Sequence, residues 1–405
     1  MLKTIKAPHI LLPKEGVDMS KYAVIACDQY TSNLEYWNSL KEYVGDEVST
    51  FHMIYPEAYL ENTDADEYIA NINKNIDRYL KNSDLVDIGE CFILVERVTS
   101  YGIRRLGLVL SIDLEDYSYE RGSNALIKAS EATIVERIPP RLKIRKNAPI
   151  ELPHVLVLFD DKDKEIVEPL YNDRDKLEKV YDFELNKEGG HILGYKVSST
   201  NEIISKFNHL FKKNNNGLLF IVGDGNHSLA TAKAHWDLVK KDLSEEEREN
   251  HPARFALVEA NNLYDEGIIF EPIHRVLFNV EKSFKEELMN ISSGEFKSFI
   301  YSKEKGKEEF FMNKNAPMAY KTIQSFLDEY MKKHQEVKID FIHDEDELIA
   351  VASKNDNSVA IAMPALTKDD LFDYIAGDLV LPRKSFSMGH ASEKRYYLEA
   401  KRITK

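Results

Sequence analysis

The chain has 405 residues, of which 43% are hydrophobic and 30% are charged, and both values are ordinary for a globular protein. Its formal net charge of −15 disfavours sequence-independent binding to nucleic acid, and the sequence has no apolar tract of the length that crosses a membrane. The two cysteines lie far apart and the N-terminal apolar run is too short for a secretory signal. We therefore expect two buried thiols, no disulfide framework, no structural metal, no membrane or nucleic acid partner, and a cytoplasmic protein.

The first predicted unit is a strand followed by a helix. YAVIAC (22–27) has the continuous apolar character of a buried strand, and LEYWNSLKEYV (34–44) repeats apolar residues at helical spacing. Ser32 with Glu35 matches a capping box at the start of that helix. A second helix is predicted over residues 64–80 by the same periodicity.

The middle of the chain reads mainly as strands. Residues 91–98 and 106–114 flank a Ser-Tyr-Gly turn and predict an antiparallel hairpin. Further predicted strands cover residues 154–161, 190–197 and 254–260. Because helices and strands do not alternate strictly, we expect an α+β fold with a mixed sheet.

From about residue 281 the pattern of charged and apolar residues changes. KEKGKEEFFMNKN predicts a charged connection, and the following segments alternate between helical and strand patterns, which suits a small α/β subdomain. We therefore predict a main core over residues 1–280, a subdomain over 281–363, and a C-terminal segment over 364–405 that returns to the core.

The stretch GDGNHS lies between the apolar run LLFIV and a predicted amphipathic helix, so it is a strand-to-helix turn. Helix starts bind anions through free backbone amides, and Gly223 and Gly225 permit the positive φ and close approach that phosphate needs. Asn226 or Ser228 can cap the helix, and a neutral His227 can accept a proton or bind a phosphoryl oxygen. A purely structural turn with a cap is the alternative, because glycine, asparagine and serine are common in such turns.

The turn resembles the Asp-Gly-His-His-Arg turn of the ParB and sulfiredoxin superfamily, whose members bind nucleotide phosphates there and include free-serine kinases. Asp224, Gly225 and His227 match, whereas Asn226 replaces the first histidine and Ser228 replaces the arginine. The chain also resembles a bacterial family called domain of unknown function ten-fifteen over nearly its full length. The matching stretches are VIACDQYTSNLEYW, IKASEATIVERIPPR, VGDGNHSLATAK, FEPIHRVLF and LPRKSFSMG.

Several other charged residues are candidates for the same chemistry. Asp28 follows a buried strand, which suits a catalytic carboxylate or a ligand of Mg²⁺. Glu131 is a second candidate base, and Arg137 and Arg141 are candidate substitutes for the missing arginine of the turn, with Pro139 and Pro140 expected to hold that segment extended. Lys384 is a further candidate phosphate ligand. For each, a solvated or ion-paired surface role is the alternative.

The resemblance implies a phosphotransferase that uses a nucleotide, ATP or ADP with Mg²⁺, and a small hydroxyl substrate, with serine or phosphoserine favoured and the direction open. In this hypothesis Asp28, Glu131 and His227 are catalytic, and the turn from Gly223 to Ser228 binds phosphate with Arg137, Arg141 and Lys384. A non-catalytic nucleotide- or metabolite-binding regulator is the alternative, because two positions of the turn have changed. DNA binding is disfavoured by the acidic charge.

Overall fold

A computed structural model describes residues 3–120, 122–133, 136, 138–377, 381, 382 and 384–405. Contacts divide the chain into two compact units. Unit 1 comprises residues 1–129, 133–268 and 390–405, and unit 2 comprises residues 130–132 and 269–389. Residues 130–132 belong to unit 2 by their contacts, although the residues on both sides of them in the chain belong to unit 1. No local sequence pattern indicates this assignment.

Unit 1 contains helices that flank a large sheet. Its helices are α1 (Met19–Tyr22), α2 (Leu34–Val44), α3 (Ala65–Lys81), α4 (Ile138–Arg145), α5 (Val167–Asn172), α6 (Thr200–Asn214), α7 (Asn226–Val239) and α8 (Glu245–Glu249). Its strands are β1 (Ile5–Lys6), β2 (His9–Pro13), β3 (Val24–Ile25), β4 (Leu85–Glu90), β5 (Phe92–Val98), β6 (Arg104–Asp113), β7 (Tyr117–Ser118), β8 (Ile127–Ala129), β9 (Ile150–Glu151), β10 (Leu156–Phe159), β11 (Glu178–Leu185), β12 (Gly190–Val197), β13 (Phe220–Asp224), β14 (Phe255–Asn262), β22 (Tyr396–Tyr397) and β23 (Lys401–Arg402).

The main sheet of unit 1 is mixed. Within the described residues, nine of its strands follow the order β11-β12-β5-β6-β14-β10-β13-β8-β7, and β1 pairs with β6 off this path. The β10–β14, β13–β8 and β7–β8 pairs are parallel, whereas the other pairs are antiparallel. The predicted α+β class with a mixed sheet is therefore confirmed.

The main sheet is buried on both faces, because alternate residues of one strand pack into different cores. On β5, Ile93 and Val95 join a core with Trp37 of α2, whereas Leu94 joins the other core with Trp236 of α7. The two faces together account for the long apolar runs of the central strands. Helices α2 and α7 thus cover opposite faces.

Most predicted elements of unit 1 are present, but two local expectations were wrong. The predicted hairpin is formed by β5 and β6, and α2 begins and ends as predicted. The N-cap of α2 is Asn33 and not the predicted Ser32, because the Asn33 side chain accepts a hydrogen bond from the Tyr36 amide. Residues 138–145 form α4 instead of an extended segment. Pro139 and Pro140 lie in its first turn, where a proline costs no hydrogen bond within the helix.

Unit 2 contains a five-stranded sheet in the order β18-β17-β20-β16-β19, with a further pair formed by β15 and β21. The predicted charged connection was wrong in part, because Gly306–Met312 forms a strand in a hairpin whose inward-facing Phe310 and Met312 are buried. The elements are α9 (Phe284–Asn290), α10 (Ala316–Lys333), α11 (Glu345–Ser353), α12 (Lys368–Ala376), β15 (Phe270–Pro272), β16 (His274–Phe278), β17 (Phe296–Ser302), β18 (Gly306–Met312), β19 (Lys338–Ile342), β20 (Ser358–Ile361) and β21 (Phe386–Met388).

Both cysteines are free thiols in the structure. Cys91 is buried as expected, whereas Cys27 is only partly buried. Across the described part of the chain, no helix combines the length and the apolar character that spanning a bilayer requires.

Candidate functional site

The turn between β13 and α7 is built around Gly225. Its φ of +84° is left-handed, and a Cβ there would lie 3.0 Å from both Cα and Cγ2 of Val155, so glycine is required on two grounds. Gly225 is the N-cap residue and provides no side chain to cap the helix. Gly223 lies inside β13 and its φ is not positive, so the expected role of Gly223 in positive-φ geometry was wrong. The 14-residue helix α7 directs its positive dipole end towards this turn.

Asp224 at the end of β13 contacts a lysine from the C-terminal segment. Lys394 Nζ lies 3.2 Å from Asp224 Oδ2, and Lys394 is 9% exposed. The sequence did not single out Lys394, which is 170 positions beyond the turn and belongs to no recognisable motif. A buried lysine thus adjoins the turn that contains Ser228.

Asp28 lies just beyond β3 and is an ionised carboxylate. Its Oδ1 accepts a hydrogen bond of 3.0 Å from Gln29 Nε2, and its Oδ2 is 3.7 Å from His154 Nε2. Burial is the largest influence and raises the pKa of Asp28, but His154, the Gln29 hydrogen bond, Lys394 and Arg141 together lower it below its ordinary value. The site therefore holds a negative charge among cationic groups.

His154, which sequence reasoning missed, joins the turn to the C-terminal segment. Its Nε2 is 2.8 Å from Ser228 Oγ, and its Nδ1 is 2.8 Å from the Tyr397 hydroxyl. The Tyr397 hydroxyl in turn donates to Cys27 Sγ at 3.1 Å and accepts from the Cys27 amide at 3.2 Å. A histidine within hydrogen-bonding distance of a serine hydroxyl and oriented by a third group is an arrangement typical of proton transfer.

Two pKa shifts describe the protonation of this cluster. Burial, together with the neighbouring Asp28 charge, raises the pKa of the Cys27 thiol to about 12. Burial also raises the pKa of the Tyr397 hydroxyl well above its ordinary value, with Cys27 and Asp28 adding to the effect. Both groups are therefore protonated near neutral pH, which makes Cys27 an unsuitable nucleophile.

Arg141 lies on α4, which packs against α7. It forms an ion pair with Glu57, and both side chains are mostly buried. Its positive charge contributes to the lowered pKa of Asp28. The structure thus brings Arg141, Asp28 and Ser228 of the predicted residues to one cavity.

The cavity has a volume of about 190 Å³ and lies within unit 1. Asp28, His154, Ser228 and Tyr397 form one connected polar patch of its wall, and apolar side chains form most of the remainder. The site is therefore a concave pocket with a small number of convergent polar groups, as small-molecule sites commonly are.

The remaining predicted residues are distributed as follows. Asn226 and His227 lie half-buried in the first turn of α7, and the His227 carbonyl accepts a hydrogen bond from Thr231. Glu131 and Lys384 belong to unit 2, where Glu131 accepts a hydrogen bond of 3.0 Å from the Ser385 amide. Burial raises the pKa of Glu131, with backbone donors from residues 384 and 385 opposing it. Arg137 lies outside the described residues.

One group of potential metal ligands occurs away from this cavity. Within the described residues, the side chains of Glu281, His334 and Glu336 in unit 2 bring three ligand atoms within 4.8 Å of one another. The two carboxylates are exposed. At the cavity itself, the ionised Asp28 is a carboxylate outside the Glu57–Arg141 and Glu151–Arg145 ion pairs, and it suits a cation carried by a phosphate ligand.

Comparisons with known proteins gave no significant match among curated proteins. Among solved structures, a conserved hypothetical protein from Pyrococcus furiosus is 11% identical, with 72% of this chain and 90% of that chain covered and a TM-score of 0.34. A free serine kinase in complex with AMP is 8% identical, with coverages of 73% and 92% and a TM-score of 0.39. SbnI with a C-terminal truncation, from Staphylococcus aureus, is 9% identical, with coverages of 69% and 82% and a TM-score of 0.37.

At these identities and TM-scores, no statement about activity rests on the structural similarity. The comparison with family models is more specific, because one model covers most of the chain. The family described as "Protein of unknown function (DUF1015)" matches residues 11–340. The chain therefore belongs to the DUF1015 family, as its ordered sequence motifs predicted.

Proposed function

We propose that this protein is a nucleotide-dependent phosphotransferase that moves a phosphoryl group between a nucleotide and the hydroxyl group of a small metabolite. The observation that carries the proposal is the cavity in which the ionised Asp28 lies beside His154 and the Ser228 end of the turn. Phosphoryl transfer depends mainly on positioning and charge stabilisation, and this site offers both.

In this proposal the phosphate groups bind at the start of α7. Backbone amides of the turn from Gly223 to Ser228 and the positive dipole end favour an anion, with His227 as a further ligand. Lys394 and Arg141 are proposed to stabilise phosphate charge, because both lower the pKa of Asp28 and so add positive potential at this site. Lys384 and Arg137 remain additional proposed cations.

Asp28 is proposed to take the proton of the attacking hydroxyl group. A carboxylate with a lowered pKa is fully ionised at neutral pH and can accept a proton as the new bond to phosphorus forms. His154, held by Tyr397 and Ser228, lies 3.7 Å from that carboxylate and lowers its pKa. Glu131 remains the alternative base.

Asp28 also fits the role of a Mg²⁺ ligand, because Mg²⁺ needs one or two carboxylates when ATP or ADP supplies phosphate oxygens. The ion would neutralise phosphate charge.

Serine and phosphoserine are the first substrates to test, because the turn resembles that of the free-serine kinases. The proposed location is the cytoplasm. The proposal covers both directions of transfer.

The test is an assay of phosphoryl transfer with purified protein. ATP with serine, and ADP with phosphoserine, are incubated with and without Mg²⁺, followed by a panel of small hydroxyl compounds. We expect Mg²⁺-dependent transfer, and we expect Asp28→Asn to lower kcat by roughly 100-fold or more because a positioned base contributes about that much. Lys394→Met should mainly raise KM for the nucleotide.

Two variants serve as controls. Asp77→Asn lies on the exposed side of α3 and Lys332→Met lies on the exposed side of α10, so both make the same chemical change without altering the cavity. Circular dichroism checks that each variant is folded. Nucleotide binding with no transfer to any acceptor would support the non-catalytic regulator, and absence of both binding and transfer would rule out the proposed function.

A further inference from the structure

Most of the cavity wall is apolar and differs in this respect from its polar patch. Beyond Asp28, His154 and Ser228, the lining is dominated by apolar side chains, which include Met53, Ile72, Ile76, Ile144, Leu229 and Leu257. Met53, Ile72, Ile76, Leu229 and Leu257 are each at most 5% exposed. A ligand that reaches Asp28 and fills this space therefore places part of its surface against hydrocarbon.

Four charged residues of the lining other than Asp28 are paired with one another. Glu57 forms an ion pair with Arg141, and Glu151 forms one with Arg145 at 2.5 Å. The Glu151 carboxylate also accepts a hydrogen bond of 2.8 Å from the Leu257 amide. An amino acid bound in this space would present an ammonium and a carboxylate to groups whose charges are balanced, and burying an unpaired charge is costly.

The volume of the cavity sets the size of the apolar group. An engineered apolar cavity of about 150 Å³ in another protein accommodates benzene. The cavity here, of about 190 Å³, has room for a group of that size or slightly larger. This estimate corresponds to roughly six carbon atoms beside the reacting oxygen.

We propose that the hydroxyl substrate carries an apolar body, an alkyl or aryl group of roughly six carbon atoms, which occupies this cavity while its oxygen or phosphate lies at Asp28, His154 and Ser228. The inference rests on the proposed function and narrows its substrate class from amino acids to amphiphilic alcohols and their phosphate monoesters. A purine base is disfavoured as the occupant, because its polar edge would face a mostly apolar lining whose glutamates and arginines are already in ion pairs.

The test is isothermal titration of the full chain with methyl, butyl and hexyl phosphate, and with inorganic phosphate and O-phosphoserine. Each methylene group buried against the apolar wall should tighten binding about fourfold. Butyl phosphate should therefore bind more tightly than phosphoserine. Equal affinity along the series, or tighter binding of phosphoserine than of butyl phosphate, would overturn the inference.

A variant that narrows the cavity sharpens the test. Ala148 is 9% exposed and lines the wall, so Ala148→Leu should weaken hexyl phosphate at least tenfold while methyl phosphate changes less than twofold. Ala70→Leu, at an exposed position of α3 outside the lining, is the matched control. If Ala148→Leu does not fold, Leu60→Ser provides a second test, because it removes an apolar side chain from the lining at a position that is 40% exposed, and it should also weaken hexyl phosphate more than methyl phosphate.

AMP distinguishes the two possible occupants. If Ala148→Leu weakens hexyl phosphate and leaves AMP binding unchanged, the apolar body of the substrate occupies the cavity. Loss of AMP binding with unchanged hexyl phosphate binding would assign the cavity to the nucleotide base and overturn the inference. If affinity rises with the chain length of the alkyl phosphate but no phosphoryl transfer is detected, the proposed function alone is rejected. If transfer to serine is detected and affinity is equal along the series, the inference alone is rejected.

Discussion

At the scale of single residues, Tyr397 determines how His154 is presented. Its hydroxyl contacts His154 Nδ1 and both the amide and the sulfur of Cys27. Because the hydroxyl donates its proton to Cys27 Sγ, we expect His154 Nδ1 to carry a proton and to donate it to the Tyr397 oxygen. Tyr397 is therefore a positioning residue of the proposed site.

We expect Tyr397→Phe to lower the free energy of unfolding by about 1–3 kcal/mol, because it leaves buried polar groups of His154 and Cys27 without this partner. If Tyr397 positions His154, kcat falls while KM for the nucleotide stays constant. Chemical denaturation and steady-state kinetics measure the two effects. Tyr43→Phe, on an exposed tyrosine, is the control and should change stability by less than about 0.5 kcal/mol. Equal effects of the two substitutions would contradict this role of Tyr397.

At the scale of elements, the site depends on how two segments are held. The turn before α7 is determined by Gly225, whose conformation and close approach to Val155 exclude a side chain. The C-terminal segment is anchored by buried arginines: Arg97 donates to the carbonyl groups of residues 392, 393 and 394, and Arg395 forms ion pairs with Glu259 and Glu399 at 2.8 and 2.7 Å. These contacts place Tyr397 in the cavity wall and Lys394 beside Asp224.

Gly225→Ala tests the turn. A non-glycine residue in the left-handed region costs about 1–3 kcal/mol, and the close contact with Val155 adds to that cost. Gly217→Ala is the matched control, because Gly217 has a φ of +72° but open space around its Cβ position. We expect Gly225→Ala to be the more destabilising and to weaken phosphate binding, whereas Gly217→Ala leaves binding unchanged. Thermal unfolding and titration with inorganic phosphate measure both, and identical losses would contradict a special role for the turn.

At the scale of the whole molecule, burial of histidine makes stability depend on pH. Burial and the neighbouring positive charge of Arg145 together lower the pKa of His235 on α7 to about 4, against the opposing effect of Glu151. As pH falls below about 6.5, the histidine of the unfolded chain takes up a proton, whereas His235 in the folded protein stays neutral until about pH 4. The unfolded state then binds more protons, so stability falls as pH falls through this window.

We therefore expect His235→Asn to gain stability relative to the unsubstituted protein by about 2 kcal/mol between pH 7 and pH 4.5. Urea denaturation followed by tryptophan fluorescence measures this difference, because both tryptophans, Trp37 and Trp236, are buried in unit 1 with His235. His209→Asn, at an exposed position of α6, is the control. A difference in stability that is independent of pH would show that His235 takes up its proton equally in both states.

The sequence by itself determined what is local. Apolar periodicity predicted α2 to the residue and the strand and helix on either side of Gly225, because helical and strand spacing are properties of neighbouring residues. The ordered motifs predicted the family, which is confirmed. The helical start at Pro139 and Pro140 was missed, because prolines occur both in extended segments and in first helical turns.

Only the tertiary structure decided which side chains share a cavity. Asp28, His154, Ser228 and Tyr397 line the cavity and come from four separate segments, and Lys394, from the same segment as Tyr397, contacts the adjoining Asp224. The pairing of distant strands and the anchoring of the C-terminal segment bring them together. No spacing along the chain encodes such contacts, so Asp28 and Ser228 could be predicted from their local settings while His154, Lys394 and Tyr397 could not. The apolar lining of the cavity could not be predicted from the sequence either. Ile76 on α3, for example, has the helical spacing of a buried residue, and this spacing does not show whether the residue faces the core or a cavity.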